Sequence, residues 1–271
     1  MLGTWRRPVG HQVGTLALEV TDLTVRYGEV VALEGVSFQV ASGEQVAVVG
    51  PNGSGKSTLL MAIAGLVTPA RGQVAVYGSG PAGHCCIAYV PQRLQVDWAF
   101  PVTVRDVVMM GRTRHVGWLR RPGPEDRAVV EESLQAVGLP GLAGRQIGEL
   151  SGGQRQRAFI ARALAQEARL MLLDEPLAGL DWPSQQEVLD TLAALRTREV
   201  TVLLSTHNLN LAGDRFDRVL LLNRRLVADG SPAEVLTEPH LTAAYGDQMH
   251  VVHPGGHTLL GDTCCSRGQY E

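Results

Sequence analysis

The sequence reads Gly50-Pro51-Asn52-Gly53-Ser54-Gly55-Lys56-Ser57-Thr58, between an apolar run at 45–49 and a helical pattern at 59–66. It fits the spacing G-x-x-x-x-G-K-[ST] in the strand–loop–helix context that this pattern requires. Such a loop turns backbone N–H groups toward phosphate oxygens, and the following helix adds its positive end. The four fixed positions match by chance in about 1% of chains of this size. We predict a phosphate-binding loop, hereafter the phosphate loop, in which Lys56 neutralises the β- and γ-phosphates and Ser57 ligates Mg²⁺.

An acidic pair, Asp174-Glu175, follows a second apolar run at 170–173. The carboxyl ends of buried strands are where α/β folds bind ligands. Asp174 is predicted to hold Mg²⁺ through its water shell, and Glu175 to polarise the attacking water. A solvated acidic pair at a strand end is the alternative, and the phosphate loop in the same chain argues against it.

A second candidate anion site is Leu150-Ser151-Gly152-Gly153-Gln154, which precedes a helical pattern. Ser151 is a natural N-cap, and the glycines expose N–H groups at a helix start. A plain helix cap is the alternative. The five residues resemble the signature motif of ABC ATPases. That resemblance implies head-to-tail dimerisation, with each ATP held between one subunit's phosphate loop and the other subunit's signature.

Four further residues stand in the order in which the family carries its motifs: Tyr27, Gln92, Asp181 and His207. By resemblance, Tyr27 stacks on adenine, although a tyrosine on a β-surface is the alternative. The resemblance also implies that Gln92 senses Mg²⁺ and the attacking water, that Asp181 belongs to the D-loop crossing the dimer seam, and that His207 contacts the γ-phosphate. Taken alone, the glutamine would be uninformative, and a structural role would be the simpler interpretation of the histidine. The implied catalytic set is Glu175, His207 and Gln92, the implied Mg²⁺ set is Ser57, Gln92 and Asp174, and the implied cofactors are ATP and Mg²⁺.

Two positions depart from the family pattern. Asn208 follows His207 where the family usually has Asp, and the D-loop reads Ala178-Gly179-Leu180 where Ser-Ala-Leu is commoner. Neither departure removes a catalytic group.

The resemblance covers roughly residues 16–240 and implies an α/β fold. We expect a P-loop NTPase (RecA-like) core with an antiparallel β subdomain and an inserted α-helical subdomain at about 93–168. The expected ATP-binding domain is 16–245, after an N-terminal leader at 1–15. The remainder, 246–271, is expected to be a flexible tail that contains His and Cys.

Composition bounds the class of protein. The chain has 271 residues, 45% of them hydrophobic and 19% charged, and a net charge of −3, which argues against a nucleic-acid partner. Its cysteines form two adjacent pairs, Cys85-Cys86 and Cys264-Cys265, which fits a reduced, cytosolic chain. No apolar run approaches the ~20 residues of a spanning helix, and the N-terminus lacks a secretory pattern. The expected location is therefore peripheral, on the cytoplasmic face of the cell membrane, where a permease would hold the chain.

The segment after Gln92 resembles ATP subunits of manganese, zinc or iron importers. The resemblance is carried by Tyr89-Val90-Pro91-Gln92-Arg93, by Val96-Asp97-Trp98 and by residues 100–112. It implies a separate integral membrane permease docking near residues 92–112, and a periplasmic or extracellular metal-binding protein in the full system. Four apolar residues of this segment could form the groove that accepts the permease, or could belong to the core of the helical subdomain. They are Trp98, Phe100, Met109 and Met110. A subunit for another cargo, such as an iron chelate, and a non-transport ABC ATPase are the alternatives.

The tail contains metal-ligand types: Asp247, His250, His253, His257, Asp262, Cys264 and Cys265. Their spacing fits no standard zinc pattern, and Pro254-Gly255-Gly256 breaks any helix. A polar tail without regular structure is the simpler interpretation, and regulatory metal binding is the alternative.

Overall fold

The computed structural model describes residues 16–81, 86–92, 98, 100–117 and 120–246, and the backbone of 249–252 and 259–262. The predicted leader at 1–15 lies outside these residues. Strands in chain order are β1 (Leu16–Tyr27), β2 (Val30–Ala41), β3 (Gln45–Val49), β4 (Arg71–Val76), β5 (Ile87–Val90), β6 (Leu170–Asp174), β7 (Thr201–Thr206), β8 (Arg218–Asn223), β9 (Arg225–Gly230), β10 (Met249–Val252) and β11 (Leu259–Asp262). Helices are α1 (Lys56–Ile63), α2 (Val104–Met109), α3 (Thr113–Val116), α4 (Pro124–Ala136), α5 (Gly152–Ala165), α6 (Trp182–Ala194), α7 (Leu209–Arg215), α8 (Pro232–Val235) and α9 (Glu238–Tyr245).

The central sheet has the strand order β5-β6-β7-β3-β8-β9. The pairs from β5 to β8 are parallel, and β9 closes one edge as an antiparallel hairpin with β8. Every residue of β3, β6 and β7 is buried, as expected for strands covered on both faces. The carboxyl ends of β3, β5, β6 and β7 therefore meet at one edge of the sheet.

A smaller antiparallel sheet, of order β2-β1-β4, covers one face of the central sheet. Alternate residues of β3 divide between two hydrophobic clusters. Val46 and Val48 pack toward the antiparallel sheet and α1, while Ala47 and Val49 pack toward the helices on the opposite face. This alternation is what the period of two in a strand dictates, and it confirms the predicted antiparallel β subdomain beside an α/β core.

The described chain between β5 and β6 is helical, with α2, α4 and α5 packed on one another through residues such as Val108, Leu134 and Ile160. Side chains fix two of the helix starts. Thr103 accepts a hydrogen bond from the Asp106 amide, and the Asp106 carboxylate accepts one from the Thr103 amide. Ser151 and Gln154 do the same at α5. The predicted inserted helical subdomain is present.

None of the described helices combines the length and the hydropathy needed to cross a membrane. Cys86 is buried, and Cys85, Cys264 and Cys265 lie outside the described residues.

The tail differs from the expectation of no regular structure. β10 and β11 pair antiparallel, with Met249 opposite Asp262 and Val252 opposite Leu259. Backbone hydrogen bonding between two short apolar stretches accounts for the pairing. Of the candidate ligands, His250 lies in β10, opposite Gly261, and Asp262 ends β11. The remaining candidates lie outside the described residues: Asp247, His253, His257, Cys264 and Cys265. Within the described residues, there is no group of three or more His, Cys, Asp or Glu positioned to hold a metal.

Candidate nucleotide site

Two glycines allow the phosphate loop to pack closely between β8 and β2. At Gly50 (φ 156°) a Cβ would lie 2.0 Å from the Leu222 carbonyl oxygen. At Gly55 (φ 98°), the residue before α1, a Cβ would lie 2.6 Å from Leu33 Cδ2 and 2.7 Å from the Ala32 oxygen. Both positions therefore exclude any side chain, which is the reason the pattern fixes glycine there.

The loop also hydrogen-bonds to the turn between β8 and β9. The amide of Arg224 donates to the Ser54 carbonyl at 2.8 Å, and the Arg224 carbonyl accepts from the Glu34 amide at 2.8 Å. Within the loop, the Ser54 amide donates to the Pro51 carbonyl at 3.2 Å. Ser54 is 1% exposed, and a Cβ at Gly50 would lie 2.8 Å from Ser54 Oγ. The loop is therefore closely packed on its buried side.

Lys56 lies in the first turn of α1 and is 6% exposed. Its Nζ donates to the carbonyls of Gly50 at 2.8 Å and Pro51 at 3.1 Å. Burial lowers the pKa of the Lys56 ammonium, and the charges of Glu175 and Asp174 partly oppose that shift. Ser57 and Thr58 follow in the same turn, so an ammonium and two hydroxyls lie together at the start of α1.

The Asp174 carboxylate, 3% exposed, accepts hydrogen bonds from hydroxyls on both neighbouring strands. Ser205 of β7 donates to Oδ1 at 2.6 Å, and Tyr89 of β5 donates to Oδ2 at 3.3 Å. Burial, the Asp174 charge and this hydrogen bond raise the pKa of the Tyr89 phenol. Sequence reasoning missed both hydroxyls because neither Tyr nor Ser in a strand signals a site.

Three of the predicted site residues converge on the Glu175 carboxylate. Gln92 Nε2 donates to Oε2 at 2.7 Å, Lys56 Nζ lies 4.0 Å from Oε1, and His207 Nδ1 lies 3.8 Å from Oε2. Glu175 itself has a left-handed backbone, φ 45°, which is rare for a residue with a side chain. Strain of this kind costs on the order of 1–3 kcal/mol and is concentrated at functional sites. An open cleft next to Glu175 is lined by Leu177, Ala178 and Gly179 of the D-loop.

Tyr27 ends β1 beside a turn at Gly28 and is 49% exposed, which leaves its ring available for stacking. The signature and the D-loop, in contrast, pack on each other. A Cβ at Gly152 would meet Leu180 Cδ2 at 2.9 Å, and one at Gly153 would meet Ser184 Cβ at 2.7 Å. Asp181 caps α6 by accepting from the Ser184 amide at 3.2 Å.

The four candidate docking residues divide into two kinds. Phe100 and Met110 are 59% and 51% exposed. Trp98 and Met109 are partly buried against the core, and Arg155 lies over the Trp98 ring at 4.4 Å. The alternative that such residues belong to the core therefore describes Trp98 and Met109 better.

The family model described as "ABC transporter" matches residues 33–178, a span that includes the phosphate loop, Gln92, the signature and Glu175. This chain belongs to the ABC transporter family. The resemblance and the fold predicted from sequence are thereby confirmed, and the chain is an ABC-type ATPase, in which ATP hydrolysis is coupled to transport. An ATP-binding subunit of an ABC transport system implies a permease partner in the membrane.

Curated ABC relatives match most of the chain. The zinc transport system ATP-binding protein TroB of Treponema pallidum is 44% identical over 86% of this chain and 88% of its own length. The manganese transport system ATP-binding protein MntB of Halalkalibacterium halodurans is 46% identical over 84% and 91%, and that of Bacillus subtilis is 40% identical over 94% and 99%.

Solved ABC structures match the fold. A transporter described as metal-chelate type, in an inward-facing conformation, superposes with a TM-score of 0.77 at 32% identity, covering 91% of this chain and 96% of the solved one. MJ1267, an ATP-binding cassette in its ADP conformation, gives a TM-score of 0.76 at 25% identity over 85% and 98%.

Proposed function

We propose that this chain binds and hydrolyses ATP to drive import of a divalent metal ion, manganese, zinc or iron, through a separate membrane permease. The observation that carries the metal assignment is its 40–46% identity, over 84–94% of its length, to relatives named as zinc or manganese transport subunits. The proposed location is the cytoplasmic face of the membrane, where the permease holds the chain. A metal-binding protein outside that membrane would deliver the cargo.

The phosphate loop binds the nucleotide. Residues 50–58 surround the phosphates with backbone N–H groups, Lys56 places its ammonium at the loop carbonyls of Gly50 and Pro51, and Tyr27 stacks on adenine. ATP is polyanionic, so bound phosphates restore a charged environment for Lys56 and offset the cost of its burial.

The residues proposed for Mg²⁺ suit a hard cation, because each offers oxygen: the Ser57 hydroxyl, the Gln92 amide and the Asp174 carboxylate. Asp174 is 3% exposed and its hydrogen bonds come from hydroxyl donors alone among the described residues, so it stays an acceptor with lone pairs left for a cation or its water. When bound, Mg²⁺ would neutralise charge on the β- and γ-phosphates.

Hydrolysis is assigned to the residues around Glu175. Its carboxylate orients and accepts a proton from the attacking water, His207 contacts the γ-phosphate, and Gln92 holds Glu175 through its 2.7 Å hydrogen bond. Phosphoryl transfer needs positioning and electrostatic stabilisation more than covalent help, and side chains from three strand ends supply it here.

A homodimer is proposed because the signature, Ser151-Gly152-Gly153-Gln154, packs against its own D-loop and hydrogen-bonds within its own helix. Ser151 and Gly152 at the start of α5 are exposed, so this helix N-terminus is accessible to ATP bound by a second copy. The permease is proposed to dock near residues 92–112, where Phe100 and Met110 are exposed.

An iron-chelate cargo is the second candidate. It is favoured by the 32% identity to a structure described as a metal-chelate type transporter and by the 43% identity to the chelated iron transport protein YfeB of Yersinia pestis. Purification with the neighbouring permease, followed by ATP-driven uptake of radioactive Mn²⁺, Zn²⁺, Fe²⁺ or a ferric chelate into vesicles, separates the two. We expect a bare divalent ion to be transported, and uptake of the chelate alone would replace that assignment. Vesicles supplied with ADP in place of ATP provide the control.

A further inference from the structure

Ser205 lies at the end of β7, directly opposite Asp174 of β6 in the parallel register, and is fully buried. Its hydroxyl makes two hydrogen bonds at once. Oγ donates to Asp174 Oδ1 at 2.6 Å and accepts from the Glu175 backbone amide at 2.9 Å. One side chain thus contacts both members of the acidic pair.

The second of these bonds falls on a strained residue. Glu175 has φ 45°, a conformation that persists only where the surroundings over-determine it. Its amide is held by Ser205 and its carboxylate by Gln92. Removing Ser205 Oγ would leave the buried Asp174 oxygen and the Glu175 N–H each short of a partner, and the chain could then relax toward a commoner backbone conformation.

We propose that Ser205 is a positioning residue for hydrolysis: its hydroxyl orients the Asp174 carboxylate and holds Glu175 in the left-handed backbone that aims its side chain at the reacting water. Ser205 does not touch the nucleotide in this role. The inference rests on the proposed role of Glu175.

Tyr89 provides the internal comparison. Its hydroxyl donates to the other oxygen of Asp174, at 3.3 Å, whereas the Glu175 amide is bound by Ser205. Tyr89→Phe therefore disturbs Asp174 alone, whereas Ser205→Ala disturbs Asp174 and Glu175 together. The alternative is that Ser205 is only a satisfied buried hydroxyl, whose loss lowers stability without a specific effect on turnover.

The first test measures kcat and KM for ATP in the full chain with its permease. We expect Ser205→Ala to lower kcat by about tenfold or more, because a displacement of ~1 Å at a reacting group can cost ~100-fold. The KM for ATP should stay within about twofold, since the lost interaction acts in the transition state. Ser133→Ala is the matched control: Ser133 is 4% exposed and its hydroxyl donates to the Val129 carbonyl at 2.7 Å, far along the chain from the site. Equal kcat in the two variants would overturn the proposal.

Two substitutions of equal volume at Ser205 separate the loss of the hydroxyl from a packing defect. Ser205→Thr keeps the hydroxyl and Ser205→Val replaces it with a methyl group, while both add the same bulk. We expect the Thr variant to turn over about tenfold faster than the Val variant. If the two are alike at equal folded fraction, the hydroxyl has no positioning role.

A binding measurement tests Asp174 separately from turnover. Mn²⁺ paramagnetic resonance with a non-hydrolysable ATP analogue should show weaker Mn²⁺ binding in both Ser205→Ala and Tyr89→Phe than in Ser133→Ala. Unchanged Mn²⁺ affinity in Ser205→Ala would contradict its action on Asp174. Glu175→Gln is assayed in parallel: if that variant keeps wild-type turnover, the role of Glu175 itself is wrong, whereas a dead Glu175→Gln with a fully active Ser205→Ala rejects only the inference about Ser205.

Discussion

The side-chain amide of Gln92 donates a 2.7 Å hydrogen bond to Oε2 of Glu175. Gln92 follows β5 and Glu175 follows β6, and these two strands are neighbours in the central sheet. Gln92 also begins the segment proposed to receive the permease. One hydrogen bond therefore links the docking segment to the proposed catalytic carboxylate, and anything that moves the segment changes how Glu175 is held.

Glu175→Gln should abolish hydrolysis and spare ATP binding. The amide keeps the shape of the side chain and an oxygen for Gln92 to bind, but loses the charge that is proposed to activate water. We expect turnover to fall by about 100-fold or more, because general-base catalysis contributes 10²–10⁴-fold, and ATP to trap a closed dimer on gel filtration. Glu132→Gln, which removes an exposed ion pair with Arg198, is the control. Near-wild-type phosphate release by Glu175→Gln would reject the assignment.

The pKa of Lys56 can be measured directly, since Lys56 is the only lysine in the chain. Burial holds that pKa below the ordinary lysine value. Above the folded-state pKa the unfolded chain binds more protons, so this group's contribution to the free energy of unfolding rises with pH until the unfolded lysine also titrates near pH ~10.4. Lysine-selective NMR should give a single Cε signal that titrates below that value and moves to higher pH when ATP is added. A midpoint that ATP leaves unmoved would contradict the proposed phosphate contact.

Gly50→Ala and Gly53→Ala should differ in stability although both lie in the phosphate loop. The Cβ at Gly50 would be 2.0 Å from the Leu222 oxygen, whereas nothing lies within 4 Å of the Gly53 Cβ position, where only φ 78° opposes a side chain. We expect Gly53→Ala to cost about 1–2 kcal/mol and Gly50→Ala to cost more, since overpacking adds about 1–3 kcal/mol. Urea unfolding measures both. Equal losses would mean that the close contact with β8 is not required.

Ser151→Ala tests the signature. Loss of the cap should lower the free energy of unfolding by about 1 kcal/mol, and hydrolysis should fall because the α5 N-terminus is proposed to face the partner's ATP. Nucleotide binding to a single subunit should be unchanged. The control is Ser231→Ala at α8, where the Ser231 hydroxyl and amide both bind Glu234. If both variants lose stability and neither loses turnover, Ser151 is a cap and nothing more.

The buried strands were the elements best predicted from the sequence, because a short apolar run bounded by turn residues indicates a buried strand in an α/β chain. The apolar runs at 45–49 and 170–173 indicated buried strands, and they are β3 and β6. The start of α1 was expected three residues late, at Leu59. The helix begins at Lys56, and its polar first turn, which faces the phosphate loop, has no hydrophobic pattern to reveal it.

The residues that support the site were harder to predict. Gln92, Glu175 and His207 belong to motifs, and the structure brings them together. Ser205 and Leu222 belong to no motif, and each contacts a residue that is distant in sequence. Ser205 lies opposite Asp174 in the strand register, and the Leu222 backbone packs against Gly50. Local sequence cannot specify such contacts, because they exist only after the sheet has formed.

The close fit of the phosphate loop against β8 bears on the order in which the chain acquires its function. The phosphate loop packs on Leu222 and hydrogen-bonds to Arg224, and both residues are synthesised long after the loop. A nascent chain that ends at residue 178, where the family match ends, would contain the loop glycines, Lys56 and Glu175. It would lack the contacts that Leu222 and Arg224 make with the loop. Nucleotide affinity should therefore arise late on the ribosome, only once the β8–β9 hairpin has emerged and docked.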